Sequence, residues 1–573
     1  MGKNGGYWGS DLLILSLCLG VLLGFKLGTR PLCSADEGRY SEIPREMVAS
    51  GDYLTPRLNG VKYFEKPPLF YWLQSASIKL FGLSEWSLRL WPAIFALLGC
   101  LVVYAAGREL FGRRTGLISS IVLATSPLYY GLTRFITLDM PVSVLLGCAL
   151  LAFLLATRQP LGKTRRFFMW TFYVFAALAT LTKGLIGIVI PGLVIGAWIV
   201  LLGQWKILQA MYLPSGLILY ALIVVPWHVL ISRANPEFAR FYFGHEHFQR
   251  YLTRAHGLGR QLWFYIPAVL LGAFPWTAFL VQAVKNNLPS SWRQRHQHKE
   301  AIFLILWTSL VFLFFSGSSS KVVPYILPLF PPLAILTGRY LSAGWDKSDL
   351  TGTRVGYWVL FIGSLALVAV GLRVAPLYLE KYADPARLSS DVYAANSVLV
   401  LGALATLILG LRRDFRWAFT ALTLTSVLLF AATDSSFASL NRECSVKDLA
   451  NVLKSRLQPG DEVASYHLYY QDLPVYLQRR ISVVGWKGEL ALGMQIEDVS
   501  GWMMDDATFW QRWNGPATIY LLTDQERYNR LRSESTQKSY LVAQTDYDVL
   551  LSNRGEQSEP RRKILTDGFE GPG

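Results

Sequence analysis

Apolar runs long enough to cross a bilayer recur along most of this chain, and nothing else in it limits the possible folds so strongly. A helix needs roughly 20 apolar residues to cross the hydrocarbon core, where each backbone polar group must be satisfied within the segment. Such runs cover 11–29, 87–107, 115–132, 138–157, 167–182, 184–202, 211–231, 262–284, 301–315, 322–341, 356–376, 396–411 and 417–433. They read as a polytopic α-helical membrane protein with about thirteen transmembrane helices. Composition agrees, because 52% hydrophobic residues over 573 positions and a mean hydropathy of +0.31 exclude an ordinary soluble chain. No small-x-small cleavage site follows the first run, and Arg30-Pro31-Leu32-Cys33 lacks the small residues of a lipoprotein site, so that run is read as a retained anchor.

Basic residues in alternate short loops set the orientation. Arg108, Arg113 and Arg114, then Arg158, Lys163, Arg165 and Arg166, and later Arg293, Arg295, Arg412, Arg413 and Arg416, fall on one side, which is read as cytoplasmic together with the N-terminus. The opposite side receives the long loop 30–86, the loops 132–137, 232–261, 316–321 and 378–395, and everything after Asp434. The net charge of +16 is largely this bias, so anionic membrane lipid is the expected partner and nucleic acid is not.

After Asp434 the apolar runs shorten. Helices at 446–457, 469–478 and 524–533 and strands at 462–466, 481–484, 517–522, 540–545 and 548–552 read as a small α/β layer domain. The expected division is a membrane domain over 1–433, an outward α/β domain over 434–553 and a disordered polar tail over 554–573. Trp502, Trp510 and Trp513 are either its core or glycan-facing aromatics. Five cysteines form no metal or disulfide framework, although Cys33 and Cys444 would both face outward and are able to pair.

The outward loops carry an unusual set of ionisable residues. Asp36-Glu37-Gly38-Arg39-Tyr40 follows the first span; Ser34 and Glu37 have capping-box spacing, so helix capping is one reading of these acids. Tyr63-Phe64-Glu65-Lys66-Pro67-Pro68 precedes an aromatic row, where a snorkelling lysine is the simpler alternative. Asp139 opens the fourth span and is also a candidate N-cap. Lys183, in Thr182-Lys183-Gly184, divides one long apolar run and has no sequence partner that explains it. His245-Glu246-His247 and Arg250 follow in the loop 232–261, with His-x-His a weak metal signal and Glu246–Arg250 a candidate surface pair. Lys321 and Tyr325 precede another span, where interfacial anchoring is the alternative. All of these residues gather on one membrane face. A transporter or flippase for an anionic lipid would instead need such groups near the bilayer midplane.

Several cations and two acids at a membrane surface suit cleavage of a bond between a sugar and a lipid-linked phosphate. Charge grows on the departing phosphate as that bond breaks, and fixed Arg and Lys donors stabilise the transition state more than the ground state. A carboxylate can then orient the acceptor or take its proton.

The order and spacing of Asp36-Glu37-x-Arg39-Tyr40, Phe64-Glu65-Lys66-Pro67, Thr137-Leu138-Asp139-x-Pro141, Thr182-Lys183-Gly184, His245 with Arg250, and Tyr325-Ile326-Leu327-Pro328 resemble the bacterial lipid A aminoarabinose transferases. More broadly they resemble the GT-C superfamily of polyprenyl-phosphate-dependent glycosyltransferases, which includes the protein mannosyltransferases. The resemblance implies a GT-C membrane domain with two interfacial helices in the first periplasmic loop and a periplasmic C-terminal α/β domain. It implies a multi-pass protein of the bacterial inner membrane, with its active site periplasmic. It makes Asp36 and Asp139 the acids of the pocket, and Arg39, Lys66, Lys183 and Arg250 the ligands of the donor phosphate. Tyr40, Tyr63, Tyr325 and Lys321 would support them. Glu65 and His245 would be positions for a divalent cation, with no cofactor expected to be obligatory. The donor would be an undecaprenyl phosphate-linked sugar, the acceptor lipid A or another glycan, and the transfer inverting. 4-Amino-4-deoxy-L-arabinose is the first expectation for the sugar; galacturonic acid, mannose and another pentose remain alternatives, and Pro68 departs from the aminoarabinose enzymes. A protein acceptor would share the same donor chemistry.

Overall fold

The computed structural model describes residues 7–33, 35–242, 244, 261–346, 352–379, 385–534 and 537–555. Every expected apolar run falls on a helix or a pair of helices, from Trp8–Gly24 to Phe415–Glu443. Eight described helices are long and apolar enough to span a membrane, or nine if Leu262–Gly272 and Thr277–Asn287, bent by 104°, form one span. The other four segments fall short of that measure for visible reasons. Trp8–Gly24 and Ile186–Leu202 are apolar but short, the run 115–132 breaks between Arg113–Ala124 and Pro127–Leu132, and Lys163–Lys183 is long enough but carries Lys163, Arg165, Arg166 and Lys183.

The helix Asp139–Thr157 runs through the middle of the bundle. Of its most apolar window 89% is buried, against 22% for Leu213–Ala234 and for Thr353–Val374. It is apolar on all sides, as a helix surrounded by protein should be. Phe153 packs on Trp198 and Phe303, with ring centroids 6.0 and 5.7 Å away. Such packing fixes the helix, and with it the position of Asp139 at its first turn.

The first long loop holds two helices, Asp36–Ser50 and Leu69–Phe81, joined through a short antiparallel hairpin of β1 (Arg57–Leu58) and β2 (Val61–Lys62). Asn59 and Gly60 turn that hairpin at φ values of 53° and 78°, the positive pair that a two-residue Asn-Gly turn favours. Glu37 does not act as a helix cap. Its carboxylate pairs with the buried Arg89, at 2.9 and 2.8 Å, and accepts the N–H groups of Cys33 and Ile136 at 3.0 and 3.1 Å. Arg89 also donates to the carbonyls of Leu27, Arg30 and Pro31. One ion pair therefore joins the end of the first span, the first loop helix, the helix Glu85–Phe111 and the loop before Asp139. Ser34, the other half of the expected capping box, lies outside the described residues.

The last membrane helix continues past Asp434 to Glu443 before the C-terminal domain begins. That domain is a six-stranded sheet in the order β5-β4-β3-β6-β8-β7. Its strands are β3 (Glu462–Tyr466), β4 (Ser482–Val484), β5 (Met503–Met504), β6 (Ile519–Asp524), β7 (Tyr540–Gln544) and β8 (Asp548–Ser552). The first four in that order are parallel, and β8 pairs antiparallel with both β6 and β7. β5 and the helix Asp506–Trp513 are additions to the expected pattern, and the helix expected at 469–478 shortens to Leu473–Leu477. A two-residue strand leaves no alternation to detect. Trp513 is core, packed on Phe509 at 5.7 Å, and Trp510 packs beside it. Trp502 instead donates to the Asn59 carbonyl at 2.8 Å, so it joins the domain to the first-loop hairpin. The polar tail from residue 556 onward lies outside the described residues.

The same interface is built at several other points. Arg57 forms a bidentate pair with Glu497, both contacts 3.0 Å. A Cβ on Gly38 would lie 2.5 Å from the Asp472 backbone nitrogen, so only glycine lets the first loop helix lie against that turn. Cys33 and Cys444 are joined as a disulfide. Beside it the buried Asp472 accepts from Ser445 Oγ at 3.0 Å and the Val446 N–H at 2.9 Å.

Burial pushes the Asp472 carboxyl up to about 7, partly opposed by those two hydrogen bonds, and the Asp548 carboxyl up to about 6. The folded state then binds more protons than the unfolded state between the ordinary aspartate value of about 4 and these raised values. The stability these groups contribute is complete below about pH 4 and falls as pH rises through about 7. The thermal midpoint of the detergent-solubilised protein should therefore carry a component that rises as pH is lowered from about 8 to 5.5, worth about 2 kcal/mol at Asp472. Comparing Asp472→Asn with the parent across that range isolates the component; equal slopes would contradict it.

Candidate active site

A cavity of about 1070 Å³ opens where the first loop, the end of the helical bundle and the C-terminal domain meet. Each wall comes from a different element. Asp36, Arg39 and Tyr40 lie on the first turns of Asp36–Ser50, and Glu65 and Lys66 on the segment that leads into Leu69–Phe81. Asp139 is the first residue of the central helix, and Lys183 is the last residue of Lys163–Lys183. Tyr325 follows from the segment that opens the next span.

Lys183 occupies that position for a local reason. Gly184, at φ 86°, ends the helix by donating its N–H to Thr180, a common glycine stop. The ammonium is thereby presented at the helix end, where it pairs with Asp139 and lies 4.2 Å from the centre of the Tyr325 ring. Asp139 is the first residue inside its helix, after Leu138 at the N-cap, so the capping alternative does not describe it. Asp36 likewise follows Ala35 at the N-cap of its helix.

Arg39 lies between two acids. Its guanidinium is 3.3 Å from Asp36 Oδ1 and 3.5 Å from Glu489 Oε1, and it approaches Tyr63 Oη at 3.5 Å. Tyr63 donates to Glu65 Oε2 at 3.0 Å. Lys66 lies 3.7 Å from the same oxygen and donates to the Glu65 carbonyl at 3.1 Å. With only 8% of its surface exposed, Lys66 is part of the cavity wall and does not snorkel to water.

The structure thus brings Asp36, Arg39, Tyr40, Glu65, Lys66, Asp139, Lys183 and Tyr325 to one cavity. Tyr63 stands one hydrogen bond behind it. Lys321 is buried nearby in sequence to Tyr325 and donates to the Ser318 carbonyl at 2.6 Å, but it is not among the residues that line the cavity. His245 and Arg250 lie outside the described residues. Among the described residues no group of three or more His, Cys, Asp or Glu side chains is placed to hold a metal ion.

Sequence reasoning missed the contribution of the C-terminal domain, where Gly488, Glu489, Leu492 and Gln495 complete the wall. Glu489 sits in the single turn Gly488–Leu490 and accepts a hydrogen bond from Gln471. Gly488 has φ 40°, and a Cβ there would meet the Trp486 ring at 2.1 Å. The only local sign of this turn is a glycine after Trp486-Lys487, which by itself marks nothing.

Comparison with known proteins places relatives along the whole chain. Residues 65–230 match the family profile described as dolichyl-phosphate-mannose-protein mannosyltransferase, and residues 449–553 match the aminoarabinose transferase C-terminal domain. The chain is 29% identical over 537 residues to the undecaprenyl phosphate-alpha-4-amino-4-deoxy-L-arabinose arabinosyl transferase of Erwinia tasmaniensis, covering 90% of this chain and 94% of that one. The enzyme of the same name from Enterobacter sp. (strain 638) is 30% identical over 396 residues, 68% of each chain. Among solved structures, ArnT from Cupriavidus metallidurans bound to undecaprenyl phosphate superposes with a TM-score of 0.83 at 29% identity, covering 97% of this chain and all of that one. Its apo state gives 0.80 at 28% identity.

Proposed function

Because the chain belongs to the undecaprenyl phosphate-alpha-4-amino-4-deoxy-L-arabinose arabinosyl transferases, we propose that it moves 4-amino-4-deoxy-L-arabinose from undecaprenyl phosphate to a phosphate of lipid A. The reaction takes place on the periplasmic face of the inner membrane, with the N-terminus cytoplasmic. The observation that carries this reading is the meeting of Arg39, Lys66 and Lys183, from three separate elements, with Asp36 and Asp139 in one cavity at the end of the bundle.

Arg39, Lys66 and Lys183 hold the donor phosphate, joined by Arg250 from the loop 232–261. Arginine contributes a planar fork that can take two phosphate oxygens, and lysine a compact charge. As the bond between the anomeric carbon and the phosphate oxygen breaks, the electron pair stays on the phosphate, and these cations stabilise the growing charge. The acceptor oxygen attacks from the opposite side, with inversion. A lipid A phosphate monoester has its second ionisation near pH 6 and is already largely anionic, so Asp36 needs only to orient it. A hydroxyl acceptor would require Asp36 as general base.

Asp139 fixes the Lys183 ammonium, while Tyr40, Tyr63 and Tyr325 support the phosphate-binding side chains. Lys321, a further supporting residue, donates to the Ser318 carbonyl. Glu65 and His245 are the positions where relatives would hold a divalent cation. Glu65 is already turned to Tyr63 and Lys66, so the described residues do not by themselves make a cation site, and no step of the mechanism runs through one.

The test is mass spectrometry of lipid A from a strain that makes the donor lipid but lacks its own transferase, expressing this chain or Asp36→Ala. The expected result is a mass gain of one aminoarabinose with the parent chain and none with the variant. Unchanged lipid A despite membrane expression of the parent would overturn the assignment of sugar or acceptor.

A further inference from the structure

The disulfide between Cys33 and Cys444 joins positions 411 apart in the chain, and it does so at the entry to the cavity wall. Cys33 stands three residues before Asp36, on whose helix Arg39 and Tyr40 also face the cavity. Cys444 directly follows the last membrane helix, Phe415–Glu443, and leads into Ser445 and Val446, both held by Asp472. The helix Asp36–Ser50 begins without a local fixture. Its N-cap is Ala35, at φ 65°, and alanine has no side-chain acceptor for the free N–H groups of a first turn. Where that turn lies is therefore set by anchors distant in sequence. Glu37 reaches Arg89 from within the turn. Just before it, Leu32 donates its N–H to Tyr476 Oη at 2.7 Å, and the disulfide follows as the covalent anchor.

We propose that Cys33 and Cys444 are a modification site, the substrate of a thiol–disulfide oxidant outside the membrane, and that their oxidation completes the active site by fixing the turn that carries Asp36 and Arg39. This rests on the reading of the cavity as the place of sugar transfer. The thiolate of one cysteine attacks the oxidant's disulfide, giving a mixed disulfide and one released thiol; the thiolate of the other then displaces the second. The pair gives up two protons and two electrons, and the oxidant's disulfide becomes two thiols. Both cysteines are half-buried, so such a reagent reaches them, and a pair of this kind persists outside the cytoplasm. The other three cysteines of the chain, Cys18, Cys100 and Cys148, lie on the membrane helices Trp8–Gly24, Glu85–Phe111 and Asp139–Thr157, so oxidation at the outer face has a single product. The membrane spans already keep both cysteines at one face. The bridge therefore constrains the unfolded chain less than its separation in sequence suggests, and its effect is concentrated on the joint beside Asp36.

The test uses the purified full-length protein, undecaprenyl phosphate-linked aminoarabinose and lipid A. Thiols are counted in the denatured protein with a maleimide tag, before and after reduction, and the parent is expected to gain two. In Cys33→Ser, Cys444→Ser and the double variant, kcat per folded molecule should fall about tenfold or more, within the loss that a displacement of about 1 Å in a reacting group causes, with KM changed less. The three variants should be equal, because each removes the same bond. The parent treated with dithiothreitol until the two thiols appear should fall to the same level and recover with oxidised glutathione, and the variants should respond to neither reagent. A parent-like kcat in the double variant would overturn the inference, as would an unchanged thiol count, a double variant far slower than either single one, or a loss of transfer that only follows the loss of folded protein. A parent that carries the bridge and transfers no aminoarabinose would sink the functional reading instead, so the two failures are distinguishable.

Discussion

Replacing Lys183 with Met should lower sugar transfer by about 10²–10³-fold, mostly in kcat, the loss found when one fixed donor to a developing charge is removed. On the proposed mechanism the substitution takes away a cation that neutralises the leaving phosphate. It also leaves Asp139, at the first turn of the buried central helix, without the ammonium that faces it. The second effect can be separated from the first. If Asp139 serves to hold Lys183, then Lys183→Met combined with Asp139→Asn should be no slower than Lys183→Met alone, and faster where the bare carboxylate repels phosphate. If Asp139 has its own part in the reaction, the double variant should be slower still. Single-turnover rates with saturating donor distinguish these results, and a change confined to KM would contradict the assignment of Lys183 to the transition state.

A comparably large effect, on folding and not on chemistry, is expected at Glu37 and Arg89. Breaking a buried ion pair by removing one partner costs about 3–5 kcal/mol, because the remaining charge stays buried and uncompensated. Arg89→Met should be the more damaging change. It leaves the Glu37 carboxylate and three backbone carbonyls without their donor, whereas Glu37→Gln leaves Arg89 its carbonyls. The measurement is the yield and thermal midpoint of the protein in detergent. Activity per folded molecule should change less than yield does for Glu37→Gln. A parent-like midpoint for Arg89→Met would show that this node does not hold the first loop to the bundle.

The membrane helices were legible because each is a local property, an apolar run of sufficient length. Much of the cavity was legible as well, since residues such as Lys183 and Asp139 conflict with their surroundings unless they serve a purpose at the membrane surface. What could not be read is what depends on partners distant in sequence. Nothing around Arg89, near the start of an apolar helix, points to Glu37 more than 50 positions earlier, and an interfacial anchor reading would fit it equally well. Glu37 itself matched a capping box, a local explanation that the tertiary pairing displaced. Glu489 was hidden in the same way, in a single turn of a domain with no catalytic signature. The pairing of Cys33 with Cys444 stood as one option, because orientation brings both to one side of the membrane without saying that they meet.

The contact at Gly38 has a consequence for how this protein can be recombined. The matched C-terminal region, 449–553, looks from sequence like a module that could be exchanged between relatives. Its turn at Gln471 and Asp472 lies on bare backbone at Gly38, its Glu497 holds the hairpin through Arg57, and its Gly493 leaves room for Val61. A chimera cut at residue 449 would inherit one half of a fitted joint. The parts that must move together are the first loop from Cys33 to Lys62 and the chain from Cys444 to Trp502, although about 380 residues of chain separate them.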